Sequence, residues 1–184
     1  MNPSRSTPAA STSRTVRKLG AVGADQSQSF AAAAEQLRGA NTVAELIVVT
    51  AESFVGVLDA PACTISRVIG DLLVDLVQHR REGPPARLGH GYLISDYPLT
   101  RAVIEDREPK TVYTGDADAD EAETSLLGEL GFDSLLMLPI EAQESAWGLV
   151  EVYGNGRRFE PPDVDVARTL AAKAGEVIER LSRP

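Results

Sequence analysis

Two runs of almost unbroken apolar character, Ser134–Ile140 (SLLMLPI) and Ala146–Tyr153 (AWGLVEVY), lie side by side in the second half of the chain, joined by the polar turn of residues 141–145. A strand with one wet face alternates apolar and polar residues, whereas a strand covered on both faces does not. This pair therefore belongs at the centre of a sheet packed between two other layers. Each run is far shorter than the roughly eighteen residues that span a bilayer.

The flanking segments must supply those layers. Phe30, Ala33, Ala34 and Leu37 recur at helical spacing, and Gly39 follows as a stop. Thr42 can cap a second helix with Glu45 reaching back from three positions on; Val43, Leu46, Ile47, Thr50, Phe54, Val57 and Leu58 form its apolar stripe. Cys63–Ile69 and Leu72–Gln78, split by Gly70-Asp71, read as an antiparallel hairpin. Residues 80–91 read as a loop and residues 92–94 as a brief strand. Ser95 or Asp96 is the predicted cap of a helix over Pro98–Asp106, and Thr111–Thr114 is a further strand. Asp116–Leu130 reads as an acidic helix closed by Gly131. The last helix runs from Pro161-Pro162-Asp163 to about Leu181, with Ala167, Leu170, Ala174, Val177 and Leu181 alternately three and four apart. That seam covers about two heptads where a coiled coil wants three or four, so its predicted role is burial against the domain's own sheet. The succession of helices and strands is that of an α+β fold.

The 184 residues suit one domain with an appendage. Residues 1–24 are rich in Ser, Thr, Ala and Pro, carry Arg5, Arg14, Arg17 and Lys18, and contain no acid, which predicts a disordered tail. An organellar transit peptide has a similar composition. The formal charge of −9, less the tail's +4, leaves −13 on residues 25–184, the predicted domain. Such a domain repels phosphate backbones, so nucleic acid is not an expected partner, and no segment predicts a membrane contact. The single cysteine, Cys63, makes no internal disulfide, two-thiol couple or cysteine-based zinc site. A cytoplasmic protein is expected.

Four segments in order, Pro98–Val112 (PLTRAVIEDREPKTV), Gly131–Ile140 (GFDSLLMLPI), Trp147–Tyr153 (WGLVEVY) and Arg158–Asp163 (RFEPPD), together resemble a GAF domain. The resemblance extends over roughly residues 28–181 and is strongest over 88–181. It implies an antiparallel sheet of about six strands, with the N- and C-terminal helices on one face and a small-molecule pocket, roofed by loops and short helices, on the other. It also implies a non-catalytic sensory or regulatory module. No output domain follows in this chain, so the signal is expected to leave through homodimerisation by the terminal helices, through a partner in trans, such as a kinase, or from a longer parent of which this chain is a piece. The alternative is a structural dimerisation domain whose pocket is filled by its own side chains.

The ligand is not legible. Cyclic-nucleotide-binding relatives carry an Asn-Lys pair and a Phe-x3-Asp-Glu run; here Phe159 and Asp163 fit, Val164 replaces the Glu, and no Asn-Lys occurs. Methionine sulfoxide reduction needs a second cysteine to resolve a sulfenic acid. Covalent bilin attachment needs a cysteine in the roof, and Cys63 is in the first strand. A haem would need His79 or His90, of which the first is expected at the surface and the second in a loop. Haem, bilin and cyclic nucleotide are thus all disfavoured, and the cofactor is unknown. Asp116, Asp118 and Asp120 have calcium-loop spacing, but Glu121 and Leu127 stand where such a loop needs Gly and a bidentate Glu. No metal site is expected. The candidate pocket residues are His90, Tyr92, Asp96, Tyr97, Arg101, Tyr113 and Ser134, polar groups set near an apolar lining.

Overall fold

A computed structural model of the chain describes residues 27–83 and 89–183. The tail predicted over residues 1–24 lies outside the described residues. The elements are α1 (27–39), α2 (Val43–Val57), β1 (Ala62–Ile69), β2 (Leu72–Arg80), β3 (Gly91–Leu93), a 3-10 turn (Ile94–Asp96), α3 (Pro98–Asp106), β4 (Lys110–Tyr113), α4 (Glu121–Leu130), β5 (Ser134–Ala142), β6 (Ser145–Gly154) and α5 (Pro161–Leu181). The six strands form one antiparallel sheet in the order β3-β2-β1-β6-β5-β4. The two apolar runs, β5 and β6, are inner strands, as their composition requires.

Alternation divides the sheet's faces. Cys63 and Ile65 of β1, Leu136, Leu138 and Ile140 of β5, and Val150 and Val152 of β6 pack under α1, α2 and α5. Their neighbours Ala62, Leu135, Met137, Leu149 and Tyr153 face the opposite way, where Ile94, Val103 and Leu127 bring down the 3-10 turn, α3 and α4 as a roof. Ala167, Leu170, Ala174 and Val177 of α5 are buried in the first layer. The seam therefore serves the domain's own sheet. Gly175 lets α5 approach β5: a Cβ there would stand 2.0 Å from the Glu141 carbonyl oxygen.

The ends of the elements show where local chemistry departs from expectation. Thr42 caps α2 by accepting from the Glu45 amide at 3.1 Å, but the Glu45 carboxylate takes the amide of Asn41, one residue before the cap. The helix predicted over Asp116–Leu130 begins only at Glu121, because Asp120 caps it and Asp116 is held by Arg158. Ser95 does not cap α3. Its hydroxyl and amide both bond the Asp71 carboxylate, at 2.7 and 3.0 Å, tying the 3-10 turn to the hairpin tip. The β5–β6 turn is tighter than its five polar residues suggest, with Gln143 and Glu144 both left-handed at φ 54 and 60.

Candidate functional site

A chemically unusual surface lies between sheet and roof. Three rows cross β2, β1 and β6 on that face: Asp75–Ser66–Leu149, Gln78–Thr64–Glu151 and Arg80–Ala62–Tyr153. A regular strand would not present both Asp75 and Gln78 on one face, since three positions reverse the side. The register shift opposite Ile65 and Ser66 leaves Leu76 without a cross-strand partner and restores the direction, as bulges do beside functional sites. The Ser66 hydroxyl then donates to Asp75 at 2.8 Å and the Gln78 amide to Thr64 at 2.9 Å.

Glu151 lies at the middle of this surface and is 2% exposed. Burial, reinforced by the negative charges of Glu123 and Asp75, pushes its carboxyl up to about 8. Glu123 descends from α4 and is fully buried; its Oε1 accepts from the Thr100 hydroxyl of α3 at 2.7 Å, and its Oε2 has no partner. Burial raises the Glu123 carboxyl, with the Thr100 bond opposing. Asp75 is likewise raised by burial, against the Ser66 hydrogen bond and the field of His90. Among the described residues none of these three carboxyls is in an ion pair. Two tyrosines close the group. The Tyr92 hydroxyl stands 3.5 Å from both Glu151 oxygens, well beyond a usual O–H···O contact, and burial followed by Glu151 raises both Tyr92 and Tyr153.

The seven residues anticipated from the sequence divide among three places. Tyr92 and Tyr97 meet edge to face, with ring centroids 5.0 Å apart, over Glu151. His90 is exposed beside them, and its carbonyl accepts from the Asp75 amide at 2.9 Å. Asp96 and Arg101 are exposed, the latter 3.9 Å from Glu105 of its own helix. Tyr113 and Ser134 pair across β4 and β5 at the far edge. There the Arg158 guanidinium covers the Tyr113 ring at 4.6 Å, while the buried Ser134 hydroxyl, also without a partner, lies under Gly154. Sequence reasoning missed Glu151, Glu123 and Asp75. One signal was present: a glutamate inside the apolar run WGLVEVY is either at an exposed edge or buried for a reason.

Other readings can be placed as well. His79 stands 4.0 Å from Glu52 of α2, on the helix side of the sheet. Cys63 is fully buried and its thiol is pushed well up by burial. Among the described residues no group of three or more His, Cys, Asp or Glu could hold a metal ion, and no helix is long and apolar enough to cross a membrane.

A roofed antiparallel sheet with its terminal helices on the opposite face is the architecture of a GAF domain, and the GAF family model matches residues 39–178. The chain belongs to the GAF domain family. A search of curated proteins returns no match. Among solved structures, the chromophore-binding domain of the bacteriophytochrome RpBphP3 from R. palustris superposes with a TM-score of 0.73 at 14% identity, covering 84% of this chain and 60% of that one. This chain thus spans less than two thirds of that domain. The far-red absorbing dark state of JSC1_58120g3 with bound biliverdin IXa matches at TM-score 0.72, with 15% identity and coverage of 84% and 99%. The phycocyanobilin-bound GAF domain of a cyanobacterial phytochrome gives 0.71, 17%, 85% and 94%. These structures correct the disfavouring of bilin, because GAF domains of this shape hold biliverdin and phycocyanobilin. A cysteine in the roof is needed only for covalent attachment, whereas a pocket also holds a tetrapyrrole by packing and hydrogen bonding.

Proposed function

We propose that residues 25–184 form a non-catalytic sensory module that holds a small molecule between sheet and roof, with Tyr92 and Tyr97 as ring contacts and Glu151 and Glu123 as acceptors for its N–H or cationic groups. The observation that carries this reading is the pair of buried carboxyls without an ion-pair partner among the described residues, one oxygen of which bonds nothing. Buried carboxylates are normally paired, and a ligand bringing N–H donors would complete them. Bilins are such ligands, since their pyrrole nitrogens form a row of donors along a conjugated, largely apolar body. The occupied state passes to a homodimer partner through the terminal helices or to a signalling protein in trans, in the cytoplasm, without nucleic acid or membrane as a partner.

The test is titration with biliverdin, phycocyanobilin and a set of protonated amines, read by visible absorbance and melting temperature. A ligand at a hundred times its dissociation constant adds about 2.7 kcal/mol, a shift of a few degrees for a domain of this size. Glu151→Leu should abolish the shift and Glu151→Gln retain part of it. If no compound shifts the protein, or if Glu151→Leu binds as well as the parent, the sensory reading fails and a scaffold closed on its own side chains replaces it.

A further inference from the structure

A cleft of about 630 Å³ opens where β1 begins and β2 and β6 end, and three of its lining side chains are arginines: Arg80, Arg81 and Arg157. In a domain of net charge −13 such a convergence is unexpected. Two of the three are committed. Arg81 pairs with Asp59 at 2.5 Å and donates to the Val55 carbonyl at 3.0 Å; Arg157 pairs with Asp163 at 3.4 Å and donates to the Leu58 carbonyl at 2.7 Å. Both thereby bond carbonyls at the C-terminal end of α2: Val55, which the Ala60 amide also reaches, and Leu58, the residue that caps the helix.

Arg80 differs. It makes no ion pair among the described residues, its Nε is buried without a partner, and its guanidinium lies 5.1 Å from the centroid of Phe132, whose ring stacks on Tyr153 at 4.8 Å. The guanidinium thus lies beside an aromatic pair, and its side chain makes no hydrogen bond among the described residues. Of the carboxylates lining the cleft, Asp59 is held by Arg81, and Glu82 is exposed and unpaired with Arg80 among the described residues. A planar guanidinium held in this way matches the paired oxygens of a carboxylate or phosphate.

We propose that Arg80 anchors an oxyanion-binding site in this cleft, taking the carboxylate or phosphate of a small molecule, with Arg81 and Arg157 adding positive field. The cleft adjoins the carboxyl-lined surface at the row Arg80–Ala62–Tyr153, but it is lined by arginine donors rather than by the buried carboxyls. It also makes a distinct demand on any one ligand that reaches both: N–H donors at Glu151 of β6 and an acid group at Arg80 of β2, one cross-strand row further on and on the other side of β1.

The experiment is isothermal titration of the full chain with inorganic phosphate and, separately, with benzoate, at constant ionic strength held with chloride. At least one should bind saturably. Arg80→Gln should weaken it by about ten-fold or more, the usual cost of a charge-assisted fork. Arg80→Lys, which keeps the charge and loses the fork, should fall between, and Arg168→Gln on the outer face of α5 should bind as the parent does. Melting curves of each variant separate lost binding from lost folding. Phosphate binding alone points to a phosphate ligand and benzoate binding alone to a carboxylate. Heats indistinguishable from chloride for both, or equal affinity in a folded Arg80→Gln protein, would overturn the proposal.

Discussion

Glu151→Gln gives a direct measure of what the buried carboxyl does to the fold. The carboxyl's ordinary 4.5 is raised to about 8 in the folded protein, so between those values the folded chain binds a proton that the unfolded chain has released. Stability must then fall as pH rises, by about 1.4 kcal/mol per pH unit, or about 5 kcal/mol across the whole interval if Glu151 acted alone. It does not act alone. Glu123 and Asp75 are raised by the same burial and repel it, so the three titrate as a group and the decline spreads over a wider range. The expected loss for the parent between pH 5.5 and 8.5 is therefore about 3 kcal/mol or more, fully regained on return to acid. The amide in Glu151→Gln cannot ionise and relieves the field on Glu123. That variant should lose less than half as much, match the parent near pH 5.5 and exceed it at pH 8.5 by about 2 kcal/mol. Urea unfolding followed by the fluorescence of the half-buried Trp147, repeated across this range, supplies the measurement. A parent whose stability is flat from pH 5.5 to 8.5, or a variant that declines in parallel with it, would refute the reasoning.

Three further substitutions probe the scaffold. Gly175→Ala should cost about 3 kcal/mol or more in urea unfolding, since its Cβ would meet the Glu141 carbonyl oxygen at 2.0 Å and neither backbone can move freely; a cost below about 1 kcal/mol would mean that α5 slides on β5. Glu144→Gly should raise stability by about 1 kcal/mol, because the residue stands at φ 60, and thermal melting checks the sign. Cys63→Ala should cost about 1 kcal/mol or slightly more and leave ligand binding intact, while the native thiol, buried and held protonated, should resist a disulfide reagent until the protein unfolds.

The fold was legible where burial dictates composition. The unbroken apolar character of β5 and β6 placed them inside the sheet, and the three-and-four spacing of α5, too short for a coiled coil, placed it on its own domain. The turn between β5 and β6 was legible in place but not in geometry, because Gln143 and Glu144 take left-handed angles that their own chemistry does not favour. The helix expected from Asp116 shortened because Asp116 is used by Arg158, forty-two positions away, a partner no local rule supplies. The site was half legible. Tyr92 and Tyr97 came from proximity to the roof, but Asp75 and Gln78 share one face only through a bulge, and Glu123 arrives only through the descent of α4. Both depend on register and packing, which are properties of the assembled sheet.

The alternation in β6 has a mechanical consequence. Glu151, on the roof face, is flanked by Val150 and Val152, which are anchored beneath the helices on the opposite face. The sheet is one strand thick, so all three side chains hang from a single stretch of backbone. Any event above the sheet that lifts or tilts this stretch drives the two valines against α2 and α5 with no hinge, linker or domain rotation between. A displacement of that stretch on one face would therefore be felt on the other through the shared backbone. Replacing Val150 or Val152 with a smaller residue would then blunt the transmitted motion while leaving the occupancy of the upper face unchanged.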